Sequence, residues 1–172
     1  MSPAQPLASI AVGVVVERRR AKSPWVDHIW RPVAALENVP ETAPWTKLTG
    51  DDDIATFYLG GAEVELFSSE TTNYRDNLAT GTPQLWVALR PTQADPPYAL
   101  FVVTADPSEG EALTEPGTDL VEPVPMPDSV ADRVAAFVAQ HHVERVFFKR
   151  KRDRIDPEAL APRSLIKRDE RK

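Results

Sequence analysis

Two groups of cations carry most of the anion-binding chemistry in this chain. The first is Glu17-Arg18-Arg19-Arg20-Ala21-Lys22-Ser23-Pro24-Trp25, followed closely by Trp30 and Arg31; the second is Lys149-Arg150-Lys151-Arg152-Asp153-Arg154. A guanidinium presents a planar fork that meets a carboxylate or phosphate two oxygens at a time, and an aromatic wall beside it sheds water. Arg18, Arg19 and Arg31, together with Lys149, Arg150, Lys151, Arg152 and Arg154, are therefore the candidate contacts to an anionic partner. A competing reading exists for each group. The first could be cation–π packing in a solvated turn, and the second a tail that folds back on the acidic segment 105–128. Trp30 and Trp86 read as core anchors rather than ligand stackers.

The charge distribution sharpens this. Residues 145–172 carry 11 Lys/Arg against 5 Asp/Glu, whereas residues 1–144 carry 9 against 21, so a +6 end follows a −12 body for a net charge of −6. Such an end needs an anionic counterpart, either the body itself or another molecule. Nucleic acid is the weaker choice, because the body is acidic and only Phe147 and Phe148 accompany the basic run as stacking surfaces. A protein partner fits better.

Other chemistries find little material. There is no Gly-x-Ser-x-Gly, no dinucleotide fingerprint and no P-loop, and the 7 glycines are too few for a phosphate cradle. With no cysteine, disulfides, iron–sulfur ligation and a thiol nucleophile are excluded. His141 and His142 are adjacent on a helix and point about 100° apart, which is not a chelating arrangement. His141 continues an apolar stripe and reads as packed. Asp51-Asp52-Asp53 lacks the alternating spacing of a calcium loop and reads as a solvated turn. No catalytic residue, metal or cofactor is expected. A Tyr74/Arg75/Asp76 group could still form an active-site loop, and a phosphate-bearing small molecule held between the turn from Arg18 to Arg31 and the segment 73–76 is the alternative to a protein partner.

The elements that must position these residues are mostly strands. The 17 prolines, about twice the usual share, punctuate short apolar runs. Ile10, Val12, Val14 and Val16 share one face of a first strand. Residues 26–36 form a second, with Pro32 placing it at an edge or at a bulge. Residues 45–48 form a third. Gly60-Gly61 predicts a two-residue hairpin turn pairing Leu59 with Ala62, Phe57 with Val64 and Ala55 with Leu66. Residues 84–90 and 98–104 read as strands, 68–81 as irregular with a helical turn near Tyr74, and 105–127 as an acidic, proline-marked stretch. Val130, Val134, Phe137, Val138 and His141 predict an amphipathic helix over 128–142. Residues 143–148 read as a last strand or arm, and 157–160 as the start of a short helix.

The expected fold is mainly β (α+β): an antiparallel sheet or small barrel of about seven strands with one C-terminal amphipathic helix and a basic tail. The expected organisation is a flexible leader (1–8), a single globular domain (9–148) and a basic, partly disordered tail (149–172). Without a basic leader segment or a long apolar run, the chain reads as cytoplasmic, with no membrane span. The oligomeric state is not fixed by the sequence.

Several stretches together resemble a known family: Val12-Gly13-Val14-Val15-Val16-Glu17-Arg18-Arg19, Ser23-Pro24-Trp25 running to Trp30-Arg31-Pro32-Val33, Asn73-Tyr74-Arg75-Asp76-Asn77-Leu78, Pro83-Gln84-Leu85-Trp86-Val87, Thr104-Ala105-Asp106-Pro107-Ser108-Glu109-Gly110-Glu111-Ala112, and His141-His142-Val143-Glu144-Arg145 leading to the basic run. The likeness is to a proteobacterial family of unknown function, encoded near formate dehydrogenase genes and loosely labelled as molybdopterin-guanine dinucleotide biosynthesis proteins. The resemblance implies an accessory protein that assists maturation or assembly of a molybdenum-dependent formate dehydrogenase, with that enzyme or its assembly factors as partner. The alternative ligand in this setting is a pterin-dinucleotide cofactor. Guanylyl transfer itself is not implied. The transferase of that pathway has a Leu-Ala-Gly-Gly-x-Ser-x-Arg-Met-Gly loop after its first strand, where this chain has Glu17-Arg18-Arg19-Arg20.

Overall fold

The buried β-branched face of the first strand organises the molecule. Val12, Val14 and Val16 are completely inaccessible and Ile10 nearly so. The computed structural model describes residues 4–144, and the features below belong to the unit Met1–His142. The basic block Lys149, Arg150, Lys151, Arg152 and Arg154, all but the first two residues of the strand or arm expected over 143–148, and the helix start at 157–160 lie outside the described residues.

Strand β1 (Ala8–Ser23) runs antiparallel between β2 (Val26–Leu36) and β4 (Ile54–Leu66), and β3 (Thr46–Gly50) pairs with the beginning of β4. The resulting order is β2-β1-β4-β3. A second antiparallel sheet has β5 (Gln84–Pro91) between β6 (Tyr98–Thr104) and β7 (Leu120–Pro125). The described residues are thus mainly β, with seven strands divided between two sheets. Pro32 is buried in edge strand β2, opposite Val16, where a register shift also inserts a bulge. Both ways of tolerating a strand proline are used at once.

One expectation is overturned. Gly60-Gly61 is not a hairpin turn; β4 passes straight through it, pairing Gly61 with Gly13 and Gly60 with Val14. A bulge follows, because the next β1 residue, Val15, pairs with Tyr58. The extra residue, Leu59, reverses which side chains face inward, so Leu59 itself and Val64 and Leu66 after it all enter the core. A tight turn would produce the same switch of parity in the sequence. Gly60 instead takes a positive φ of 147°, and Gly61 serves close approach: a Cβ there would lie 2.8 Å from Val39 Cγ1, and one on its partner Gly13 would lie 3.0 Å from the Asn38 carbonyl oxygen. The chain leaving β2 crosses over this glycine pair.

Among the described residues three helices accompany the sheets rather than one. After a single 3-10 turn at Ser68–Glu70 comes α1 (Thr71–Ala79), where an irregular segment was expected. The acidic stretch holds both α2 (Pro107–Thr114) and β7. Asp106 caps α2, its side chain accepting from the Ser108 and Glu109 amides, with Pro107 in the first turn. Helix α3 (Asp128–His141) lies where its pattern placed it and buries Val130, Val134 and Phe137. Those residues join Ile10, Val64, Leu66, Leu85, Val87 and Leu89 in one core shared by both sheets.

Candidate functional site

Past Val16, β1 continues with β2 as a ribbon whose tip is Pro24-Trp25, with Ser23 paired to Val26, and β4 still flanks β1 as far as Arg19. Five cations (Arg18, Arg19, Arg20, Lys22 and Arg31) against two carboxylates (Glu17 and Asp27) make this a basic element on an acidic body. Strand alternation splits the predicted arginines. Glu17 faces Arg31 across the ladder and shares its side with Arg19. Glu17 Oε1 accepts from Arg19 Nη2 at 3.1 Å and from Arg31 Nε at 3.3 Å. The Glu17 side chain is 14% exposed, while the two guanidiniums are about half exposed (51% and 55%). A half-exposed pair of this kind adds little to stability. Its effect is to hold two guanidiniums side by side with donors left over, and with Ile29 they line one shallow depression.

Arg18 is not part of that pair. It lies on the opposite face, its guanidinium 5.3 Å from the centre of the Phe57 ring. Its Nη2 donates to the Asp51 carbonyl at 3.4 Å, and its Nε is buried with no hydrogen-bond partner. Phe57 belongs to an aromatic group with Trp30 and Trp45, whose indoles meet edge to face at 5.5 Å. Trp45 reaches this position from a left-handed backbone, φ 70°, a conformation that costs free energy for a residue with a side chain. Trp30 is therefore packed, as expected. Trp25 is the opposite: 90% exposed at the ribbon tip, with Val26 at 52% and Ile29 at 55%.

The Tyr74/Arg75/Asp76 group does not converge. It lies on α1, with Tyr74 turned into the core and its hydroxyl accepting from the Phe67 amide at 3.1 Å. Burial, reinforced by the carboxylates of Asp106, Glu70 and Glu109, pushes the phenol up to about 12, so it stays neutral. Arg75 turns away, donating from Nη1 to His142 Nε2 at 3.1 Å and lying 3.5 Å from Asp76. His142 Nδ1 is 3.1 Å from the Thr71 hydroxyl, so this histidine fastens the end of α3 to α1. The His141 ring packs on Phe137 at 4.5 Å. Asp76 lines a depression with Trp86 and Pro107, a different one from that of Arg31.

A buried polar network, not anticipated from the sequence, secures the helices. Asn77 Nδ2 donates to the carbonyls of Gln84 (2.8 Å) and Ala105 (2.9 Å), and its Oδ1 accepts from the Gln84 amide at 3.0 Å. One turn earlier, Asn73 donates to Asp106 and Glu70. The i, i+4 asparagines were the available signal, along with Asp106-Pro107-Ser108-Glu109 as a helix start. Asp51 forms a turn as expected: its carboxylate accepts from the Asp53 and Ile54 amides, which hold it below the usual carboxylate range. Among the described residues no group of three or more His, Asp or Glu side chains is placed to hold a metal, and no helix is long and apolar enough to cross a membrane.

Among the described residues these features define a β domain of two antiparallel sheets and three helices, with a basic β1–β2 ribbon. Residues 11–152 match the family described as "Protein of unknown function (DUF3305)", and the chain belongs to that family. No curated protein and no solved structure matches it.

Proposed function

We propose that this chain is a non-catalytic, cytoplasmic accessory protein that works by docking, with the β1–β2 ribbon gripping an anionic surface of a partner protein. The observation that carries the reading is Trp25, 90% exposed at the tip of an otherwise basic ribbon. Tryptophan and arginine are the residues that most often dominate binding energy at protein interfaces. An indole left in water beside Val26 and Ile29, with Arg19 and Arg31 held ready on Glu17, suits an acidic surface with an apolar recess. The partner we propose is a molybdenum-dependent formate dehydrogenase or one of its assembly factors. Support for that choice comes from the family resemblance of the sequence. The small-molecule alternative, a pterin dinucleotide or similar ligand, draws less support, because Arg31 and Asp76 line different depressions.

The test is recovery of formate dehydrogenase or its assembly factors with the tagged chain, and formate dehydrogenase activity in a strain lacking it. Recovery by the native protein and its loss in Trp25→Ala, with activity reduced in the deletion strain, is the expected result. Failure of recovery together with unchanged activity refutes the assignment.

A further inference from the structure

We propose that the outer face of the first sheet, at the base of the ribbon, seats an amphipathic α-helix of the partner protein. That helix carries two apolar residues seven apart and one carboxylate midway between them. The inference rests on the docking reading above and names the element that docks. Arg19 pairs with Ile29 on β2 and with Ile54 on β4. Directly opposed residues of an antiparallel ladder project to the same side, so these three side chains form one row across three strands. Both isoleucines are exposed, Ile29 at 55% and Ile54 at 42%. The next row on this side is Arg31, Glu17 and Thr56, with the Thr49 hydroxyl 2.8 Å from that of Thr56. The other side of the same strands carries Trp30, Arg18 and Ala55, and there Trp30 packs against the core and Ala55 is buried.

Spacing decides the shape of the occupant. Two inter-strand steps put Ile29 and Ile54 about 9.6 Å apart. An extended peptide laid across the strands presents same-side residues about 6.7 or 13.4 Å apart, and so misses them. A helix advances about 10.5 Å in seven residues, and its residue three or four along falls midway on the same face. It can therefore cover both isoleucines and hold its middle residue over Arg19. Charge decides what that residue is. Arg19 and Arg31 both donate to Glu17 Oε1, so the trio has one net positive charge and suits one carboxylate. Asp27 shares the side of β2 that carries Ile29, and Asp52 and Asp53 directly precede Ile54. Carboxylates at both ends of the row oppose a phosphate or a run of acids. Trp25, at the ribbon tip, lies beyond this row and meets a different part of the partner.

The test uses the full chain and a side-chain-stapled helical peptide with two leucines seven residues apart, one glutamate midway, and alanine and glutamine elsewhere, followed by calorimetry. The expected result is saturable binding, weakened about tenfold or more when glutamine replaces the glutamate, and likewise in Ile29→Thr/Ile54→Thr. Both isoleucines are exposed and threonine is also β-branched, so the double variant keeps its fold. Phosphoserine in place of the glutamate should bind more weakly. Absence of binding, indifference to the glutamate or to the double variant, or tighter binding of the phosphoserine peptide overturns the proposal. Trp25→Ala separates this proposal from the assignment of the partner: it should bind the peptide as the native chain does, yet fail to recover formate dehydrogenase. Recovery that fails for the native chain while the peptide binds removes the assigned partner and leaves the helix seat. Recovery that persists in Ile29→Thr/Ile54→Thr removes the seat alone.

Discussion

Replacing Asn77 by leucine tests how the helical layer is fastened to the second sheet. The Asn77 side chain is 4% exposed and makes three hydrogen bonds, donating to the Gln84 and Ala105 carbonyls and accepting from the Gln84 amide. Leucine fills a similar volume but leaves one N–H and two C=O groups without partners where water has little access. A typical hydrogen bond contributes about 1 kcal/mol net, and each buried group left unsatisfied costs about 1–3 kcal/mol. Carbonyls already bonded elsewhere lose less, so the expected loss is about 3–5 kcal/mol. That is a large part of the roughly 5–15 kcal/mol that holds a domain folded. In urea, with a slope of about 2 kcal/mol/M, the midpoint should fall by about 2 M with the slope unchanged. A fall below about 0.5 M would refute the reasoning. Asn77→Asp is the companion. It keeps the acceptor for the Gln84 amide but aims a carboxylate at two carbonyl oxygens, which raises its folded pKa above the unfolded value near 3.9. Its protonated form should therefore be tolerated, and its deficit should grow as pH rises above about 4. A deficit independent of pH contradicts this.

Two further outcomes follow from packing and burial. Gly110 is helical, and alanine at an open helix site would gain about 1 kcal/mol; here the new Cβ falls within the indole of Trp86, so overpacking of about 1–3 kcal/mol should prevail and lower the melting temperature. An unchanged or raised melting temperature would count against that packing. Because the Tyr74 phenol is pushed up to about 12, its share of stability should be intact below the unfolded value of about 10 and lost as pH climbs from there to about 12. Tyr74→Phe should lack that alkaline slope in chemical denaturation, and at neutral pH should cost about 1 kcal/mol through the unpaired Phe67 amide.

The sequence revealed best those elements whose pattern has one physical meaning. Val130, Val134 and Phe137 recur at helical spacing, and α3 begins at Asp128 and ends at His141. The alternation of Ile10, Val12, Val14 and Val16 marks β1, though not its length, because the ribbon beyond Val16 is polar on both faces. Gly60-Gly61 misled because a bulge and a turn both switch inward parity; Val39 crossing above explains Gly61, and a φ of 147° explains Gly60. The acidic stretch masks α2 and β7 because its charges and prolines carry no clear periodicity, although Asp106-Pro107 is a helix start by its own chemistry. At the ribbon, the sequence put Arg18, Arg19 and Arg31 together, whereas strand alternation separates Arg18 from the other two. The exposure of Trp25 was not legible, since three neighbouring tryptophan and phenylalanine side chains find partners in each other and Trp25 does not.

The division of the strands between the sheets sets an order of events during synthesis. Every strand of the first sheet comes from Ala8–Leu66, and every strand of the second from Gln84–Pro125. The first sheet can therefore assemble while the rest of the chain is still being translated, but the inner face carrying Ile10, Val12, Val14, Val64 and Leu66 has nothing to cover it until β5 and α3 emerge. A nascent chain at that stage displays a ready-made apolar sheet to whatever stands at the ribosome exit. The same arrangement makes the 79–84 link the natural place to divide the protein into two fragments, each bringing one whole sheet and half of a common interior.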